Sequence, residues 1–204
     1  MTDDRQLLAA WGDGNAAAGH ELFERHFAAV FRFFRNKAGD DLEDLVQTTF
    51  LRCLETRASF RGEASFRTFL FAVARNELYS YWRKRQKVAA TVDIGSVSVE
   101  DLGTTPSGAA HQRRERALLA RALQAIPLDL QIALELHYWE ELTGPELAAA
   151  LDIPEGTVRS RLRRGKALLE EQIRKLSEGD AELLQSSLSG LEGWAASLKA
   201  FMSR

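Results

Sequence analysis

The sequence predicts an all-α protein built from two small helical domains that a flexible linker joins. Apolar residues recur at helical spacing over most of the 204 residues, and no long alternation of apolar and polar residues is present. From Val88 to Ala110 this periodicity is lost, and Gly, Ser and Thr accumulate. The expected divisions are a first domain over 1–87, a linker over 88–112, a second domain over 113–176 and an amphipathic extension over 177–204.

Four helices are expected in the first domain. Gly12 and Gly14 interrupt the helical pattern near the start, and Ser65 is suited to cap the last of the four helices. The expected spans are Asp3 to Trp11, about Asn15 to Lys37, Leu42 to about Thr56, and about Ser65 to Lys87.

The second domain is expected to end in a helix-turn-helix. Two helices, His111 to Ala125 and Leu128 to Glu140, precede a short helix that has Pro145 in its first turn. Asp152, Ile153 and Pro154 then break the pattern before the last helix opens at Gly156. The alternative is an ordinary helical hairpin with a solvated, arginine-rich face.

The last helix has a basic front and an apolar back. Five basic residues and no acidic one lie between Thr157 and Lys166, in a chain of net charge −2. At about 100° per residue, an apolar face opposes a small and basic face, as in a helix that enters a DNA major groove. The back holds Val158, Leu162, Gly165 and Leu169; the front holds Ser160, Arg163, Arg164 and Ala167, with Arg159 and Lys166 on one flank and Arg161 on the other.

The composition is that of a globular intracellular protein, with 45% hydrophobic and 27% charged residues. We expect no membrane span and no signal peptide, and a cytoplasmic location. Cys53 is the only cysteine, which excludes an internal disulfide and a cysteine metal cluster. His20, His26, His111 and His137 lack metal-ligand spacing, and no phosphate-cradling glycine loop occurs, so we expect no enzyme, metal or cofactor.

An acidic cluster opens the third helix. Carboxylates there could simply complement the helix dipole. Four of them in five positions exceed that need, so a protein-binding face is the second interpretation. The residues are Asp40, Asp41, Glu43 and Asp44, followed by Gln47.

Aromatic and basic residues are interleaved from Phe60 to Lys87. Rings that stack bases and cations that neutralise phosphates suit unpaired nucleic acid. The plainer interpretation is that some of these residues form the buried stripe of a helix. We favour it for Phe66, Phe69, Leu70 and Val73. It does not explain Phe60 or the basic end that begins at Arg83 and Lys84.

Short motifs in both halves together carry a family resemblance. They are Asp41–Phe50, Phe60–Gly62, Ser65–Leu70 and Ala74–Asn76 in the first half, and Ile126–Pro127, Leu142–Thr143, Glu146–Ala148 and Gly156–Leu162 in the second. In this order and spacing they resemble the compact two-domain sigma factors of bacterial RNA polymerase, the extracytoplasmic-function group. The resemblance spans about Leu7 to Leu176.

The resemblance implies three contact surfaces. The acidic cluster with Gln47 would bind core RNA polymerase. Phe60, Asn76, Ser80 and nearby residues, with Arg83 and Lys84, would hold the melted minus-ten promoter strand and a flipped base. Arg159, Ser160, Arg163 and Arg164 would read the minus-thirty-five element, while other basic residues such as Arg161 and Lys166 contact phosphate. An anti-sigma protein is a further partner that the resemblance allows.

The chain departs from the family pattern at three positions and in its tail. The family usually has Trp where Phe69 stands, Asp or Asn at Ser80, and Arg at Gln131, where a structural ion pair would be lost. The tail over 177–204 is either a packing extension or a regulatory segment. The alternative to a sigma factor is a free-standing helix-turn-helix regulator without polymerase contact.

Overall fold

The computed structural model describes residues 3–57, 60, 64–88 and 108–177, and in these ranges the protein is helical, without a strand. The all-α prediction is therefore confirmed for the described chain. The linker residues 89–107, Arg61 and Gly62, and the tail after Ser177 lie outside the described residues. The elements are α1 (Asp4–Gly12), α2 (Ala16–Arg35), a 3₁₀ turn (Gly39–Asp41), α3 (Leu42–Glu55), α4 (Phe66–Val88), α5 (Gly108–Gln124), α6 (Leu128–Tyr138), α7 (Gly144–Leu151) and α8 (Glu155–Leu176).

Contacts between α-carbons divide the chain into two units. The first comprises residues 1–94 and 144–154, and so holds α1 to α4 and α7. The second comprises residues 95–143 and 155–204, and so holds α5, α6 and α8. The domain boundaries read from the sequence stay predictions.

Polar side chains fix the starts of two helices. The Asn15 Oδ1 atom accepts from the backbone N–H groups of Ala17 at 3.1 Å and Ala18 at 3.2 Å, which caps α2. The Ser65 Oγ atom accepts from the Thr68 N–H at 3.2 Å, so the predicted cap of α4 is confirmed.

The largest shift in a helix start is in the fifth helix. The fifth helix begins at Gly108, three residues before the His111 expected from the sequence, and so takes in the end of the expected linker. Ala109 and Ala110 have the highest helix propensity and extend the helix without needing apolar periodicity.

The core of the first unit lies between α2, α3 and α4. Leu22, Phe34 and Phe71 are completely buried there. Cys53 lies in the same core, and burial raises the pKa of its thiol to about 12.

The expected buried stripe of α4 is only half right. Phe66 and Leu70 are buried, whereas Phe69 and Val73 are half-buried at its edge. The buried row continues instead through Ala74 and Leu78, and Phe71 lies beside it. Steps of four residues keep this row facing α2 and α3, while Phe69 and Val73 turn toward the flank.

Contacts at both ends hold α1 on the rest of the first unit. At its start, the Asp4 carboxylate lies 2.8 Å from Arg25 Nη1 and 2.8 Å from His26 Nε2. At its end, Arg57 Nη2 donates to the Gly12 carbonyl oxygen at 3.5 Å. A Cβ on Gly19 would lie 2.5 Å from the Trp11 ring, so only glycine permits this close approach of α1 and α2.

The core of the second unit lies between α5, α6 and α8. It contains Leu119 and Leu123 from α5, Leu134 from α6, and Leu169 and Ile173 from α8. The back of α8 is thereby held against the other two helices of this unit.

Candidate functional site

The predicted two-sidedness of α8 is confirmed. Val158 and Leu169 are fully buried, Gly165 is buried, and Leu162 is half-buried against the same core. The opposite side, formed by Ser160, Arg163, Arg164 and Ala167, is exposed. The helix therefore presents a small, cationic surface to solvent; we call these four residues the α8 front.

A sharp turn precedes α8. The helix before it ends at Leu151, and the Ile153 N–H donates back to the Ala148 carbonyl oxygen at 3.1 Å. Asp152 has a φ of 51°, a left-handed conformation that aspartate tolerates better than most residues. Glu155 then opens α8, where a carboxylate complements the helix dipole.

The cations beside the α8 front differ in their surroundings. Arg159 has a side chain 75% exposed and lies 3.3 Å from Glu155, and Lys166 is exposed as well. Arg161 is only 27% exposed, and its Nε atom lies 3.7 Å from the Asp129 Oδ2 atom of α6. Arg161 thus ties α8 to its own domain, which the sequence pattern did not indicate.

A row of side chains follows one face of α4. Phe69, Val73, Asn76, Ser80 and Arg83 are spaced by alternating steps of four and three, so they share this face. The Arg83 Nη2 atom lies 3.2 Å from Ser80 Oγ, which brings the cation beside the hydroxyl. We call these five residues the α4 stripe.

Two further basic residues, Arg75 and Lys84, adjoin the C-terminal half of this row. Asn76 is exposed, and its Oδ1 atom accepts from Arg75 Nη2 at 2.9 Å. Lys84 is exposed one residue beyond Arg83. The row is therefore polar and cationic at its C-terminal half.

Phe60 adjoins the N-terminal end of the α4 stripe. Its ring is half-buried and lies 5.0 Å from the Phe69 ring, and it meets the Phe66 ring edge-on at 6.2 Å. The Arg5 guanidinium of α1 lies 5.7 Å from the Phe60 centroid, and its Nη2 atom donates to the Ala64 carbonyl oxygen at 3.4 Å. Sequence patterns gave no signal for Arg5, because only tertiary contacts bring α1 to this ring.

The acidic cluster lies on the surface of the first unit. All of its members are exposed, and Asp41 makes no side-chain capping hydrogen bond at the start of α3. Asp41 Oδ2 instead lies 3.4 Å from Arg85 Nη1, and Arg85 also donates to the Tyr81 hydroxyl, whose oxygen raises the pKa of Arg85. Asp41 thus connects α3 to α4; the other members are Asp40, Glu43, Asp44 and Gln47.

Comparison with known proteins identifies the family. The Sigma-70 region 2 family matches residues 22–88 and the Sigma-70 region 4 family matches residues 116–169. The sigma-E factor of Haemophilus influenzae is 30% identical over 182 residues, which cover 85% of this chain and 96% of that protein. The chain belongs to the extracytoplasmic-function sigma factors.

Another relative and two solved structures are also similar to this chain. The sigma-E factor of Escherichia coli K12 is 27% identical over 144 residues, which cover 67% of this chain and 75% of that protein. The fold resembles that of CnrH, solved with the cytosolic domain of CnrY, at a TM-score of 0.62 and 23% identity over 84% of this chain and 97% of that one. It also resembles RpoE of Bartonella quintana, solved with the anti-sigma factor NepR, at a TM-score of 0.62 and 24% identity over 76% and 96% of the two chains.

The acidic cluster, the α4 stripe and the α8 front all lie inside the two matched regions. The acidic cluster and the α4 stripe fall within region 2, and the α8 front falls within region 4. Helix α1, with Arg5, precedes the region 2 match.

No three His, Cys, Asp or Glu side chains of the described residues are grouped so as to hold a metal ion. None of the helices described is both long enough and apolar enough to span a bilayer.

Proposed function

We propose that the α8 front of this sigma factor reads the minus-thirty-five element in the major groove. The sigma factor itself binds core RNA polymerase and directs transcription initiation at promoters, as its family membership establishes. The opposed buried and cationic faces of α8 carry this proposal. The apolar back fixes the helix on its domain, so Arg163 and Arg164 can contact base edges without loosening the fold.

The α4 stripe with Phe60 forms the second promoter surface in this proposal. Asn76 and Ser80 supply hydrogen-bonding groups for an unpaired base, while Arg83 and Lys84 neutralise phosphates. Phe60 stacks on Phe69 and so contributes a fixed aromatic edge at the far end of the row. This arrangement supports binding of the melted minus-ten strand.

The acidic cluster forms the polymerase surface. Asp40, Glu43, Asp44 and Gln47 are exposed, and their carboxylates would complement a basic partner. Asp41 pairs with Arg85 and so connects this surface to α4. No catalytic step is assigned to this chain: binding energy alone places the polymerase and stabilises the open strand.

An anti-sigma partner also belongs to the proposal. CnrH was solved with the cytosolic domain of CnrY, and the Bartonella quintana RpoE was solved with the anti-sigma factor NepR. We infer that a comparable protein restrains this chain in the cytoplasm, where its polymerase acts.

Reconstituted transcription tests the two-element proposal. Core polymerase plus this protein would transcribe a genomic library, and sequencing of the transcript 5′ ends would yield the shared upstream elements. We expect two conserved elements, and exchange of either one should abolish the transcript. Transcripts that depend on one element alone would contradict the bipartite proposal while leaving polymerase binding intact.

A further inference from the structure

A contact between α1 and the α4 region lies outside the surfaces assigned so far. Arg5 stands over the Phe60 ring at 5.7 Å and bonds to the Ala64 carbonyl, yet the residue remains exposed. The pair lies at the N-terminal end of the α4 stripe, so it places a cation where the strand assigned to that stripe would pass.

The rest of α1 fixes the position of this guanidinium. The neighbouring Asp4 carboxylate is occupied by Arg25 and His26, so its charge is compensated beside Arg5. Arg57 and the Trp11–Gly19 contact hold the other end of the helix. The helix that carries Arg5 is therefore held in place by contacts at both of its ends.

The combined row has a cation at each end. Phe69 and Arg83 are separated by roughly 21 Å along α4, at 1.5 Å per residue. Arg83 and Lys84 lie at one end, and Phe60 with Arg5 lies at the other. A strand that follows the row would meet a cation at both ends and an aromatic ring beside the cation at the Arg5 end.

We propose that Arg5 is a further promoter-binding residue, which contacts the unpaired strand where it passes Phe60. The Arg5 guanidinium lies 5.7 Å from the Phe60 centroid, and a planar guanidinium is a donor group suited to phosphate. The proposal rests on the assignment of the α4 stripe to the minus-ten strand. It adds to the promoter surface a helix that begins before the region 2 match.

Holoenzyme binding to a forked promoter probe tests this role. The probe has a duplex minus-thirty-five element and an unpaired minus-ten strand, and its affinity is measured by fluorescence anisotropy at several salt concentrations. Arg5→Ala should weaken binding roughly three- to ten-fold and reduce the slope of log K against log salt by about 0.7, the value for one single-strand phosphate. Arg5→Lys should restore the slope because it keeps the charge.

Two controls separate this role from others. Arg52→Ala removes another exposed cation of the first unit, one that pairs with Glu55, and should leave probe affinity unchanged. A loss equal to that of Arg5→Ala would show a general effect of surface charge and would overturn the contact assigned to Arg5. Loss of polymerase binding in Arg5→Ala would make Arg5 a polymerase contact and overturn the proposal.

A further variant distinguishes failure of this inference from failure of the stripe assignment. The double change Asn76→Ala, Ser80→Ala should abolish binding to the same probe. If the double variant fails to bind the probe while Arg5→Ala binds it normally, only the role of Arg5 is wrong. If the double variant binds normally, the stripe assignment itself fails. Equal melting temperatures of the variants exclude unfolding as the cause.

Discussion

Gln131 donates from its Nε2 atom to the Glu135 Oε1 atom at 2.9 Å, one turn apart on α6, and both side chains are buried. The family resemblance places an arginine at position 131 and so predicted the loss of an ion pair. A neutral amide takes its place and still bonds the acid. An amide also costs less to bury than a guanidinium.

Removal of this amide should destabilise the second unit. Gln131→Ala leaves a buried acid with one donor fewer, which should lower the free energy of unfolding by ~1–3 kcal/mol. Urea denaturation followed by circular dichroism would measure it. Gln172→Ala, at a half-buried amide of α8, is the control and should change little. Equal effects of the two changes would show that the bond contributes nothing.

Gly165 sets how closely α8 approaches α6. A Cβ at this position would lie 3.2 Å from the Leu134 side chain, whereas none of the described atoms lies within 4 Å of a Cβ on Gly156. Gly165→Leu should therefore overpack the interface and lower the free energy of unfolding by ~1–3 kcal/mol. Gly156→Leu is the matched change on the same helix and should be close to neutral. A stable Gly165→Leu protein with unchanged promoter affinity would contradict the assigned close packing.

The sequence predicted best what periodicity can encode. The opposed faces of α8 follow from 3.6 residues per turn, and the structure confirms them at Val158, Ser160 and Leu169. Periodicity does not say which flank of a stripe meets a neighbour, so Phe69 was wrongly expected in the core.

Sequence patterns do not predict contacts between segments that are far apart along the chain. Arg161 meets Asp129, and Arg5 meets Phe60, only because separate helices pack together. No spacing along the chain records such pairs. The pattern therefore predicted the α8 front, whereas the structure was needed to show that Arg161 pairs with Asp129 and that α1 reaches the α4 stripe.

The acidic cluster predicts a charge-dependent polymerase contact. Asp44→Lys should reduce binding to core polymerase at least ten-fold, because it places a like charge against a basic partner, at a cost of ~1.4 kcal/mol or more. Co-purification and anisotropy with labelled sigma factor would measure it. Asp13→Lys is the matched control, an exposed acid at the end of α1, and should bind normally. Full transcription by Asp44→Lys would reject the assigned surface.

The α8 front predicts a loss of sequence discrimination. Arg163→Ala and Arg164→Ala should each weaken binding to the cognate minus-thirty-five element by ~1–3 kcal/mol if the side chain contacts guanine, and much less on scrambled DNA. Holoenzyme titrations on matched and scrambled duplexes would measure both. Arg174→Ala is the control, since it lies on nearly the same face of α8 about three turns further along and pairs with Glu170. Because Arg174 stands away from the α8 front, its loss should not affect discrimination. An equal loss on every duplex would make Arg163 and Arg164 phosphate contacts and leave the base reading to Arg159 and Ser160.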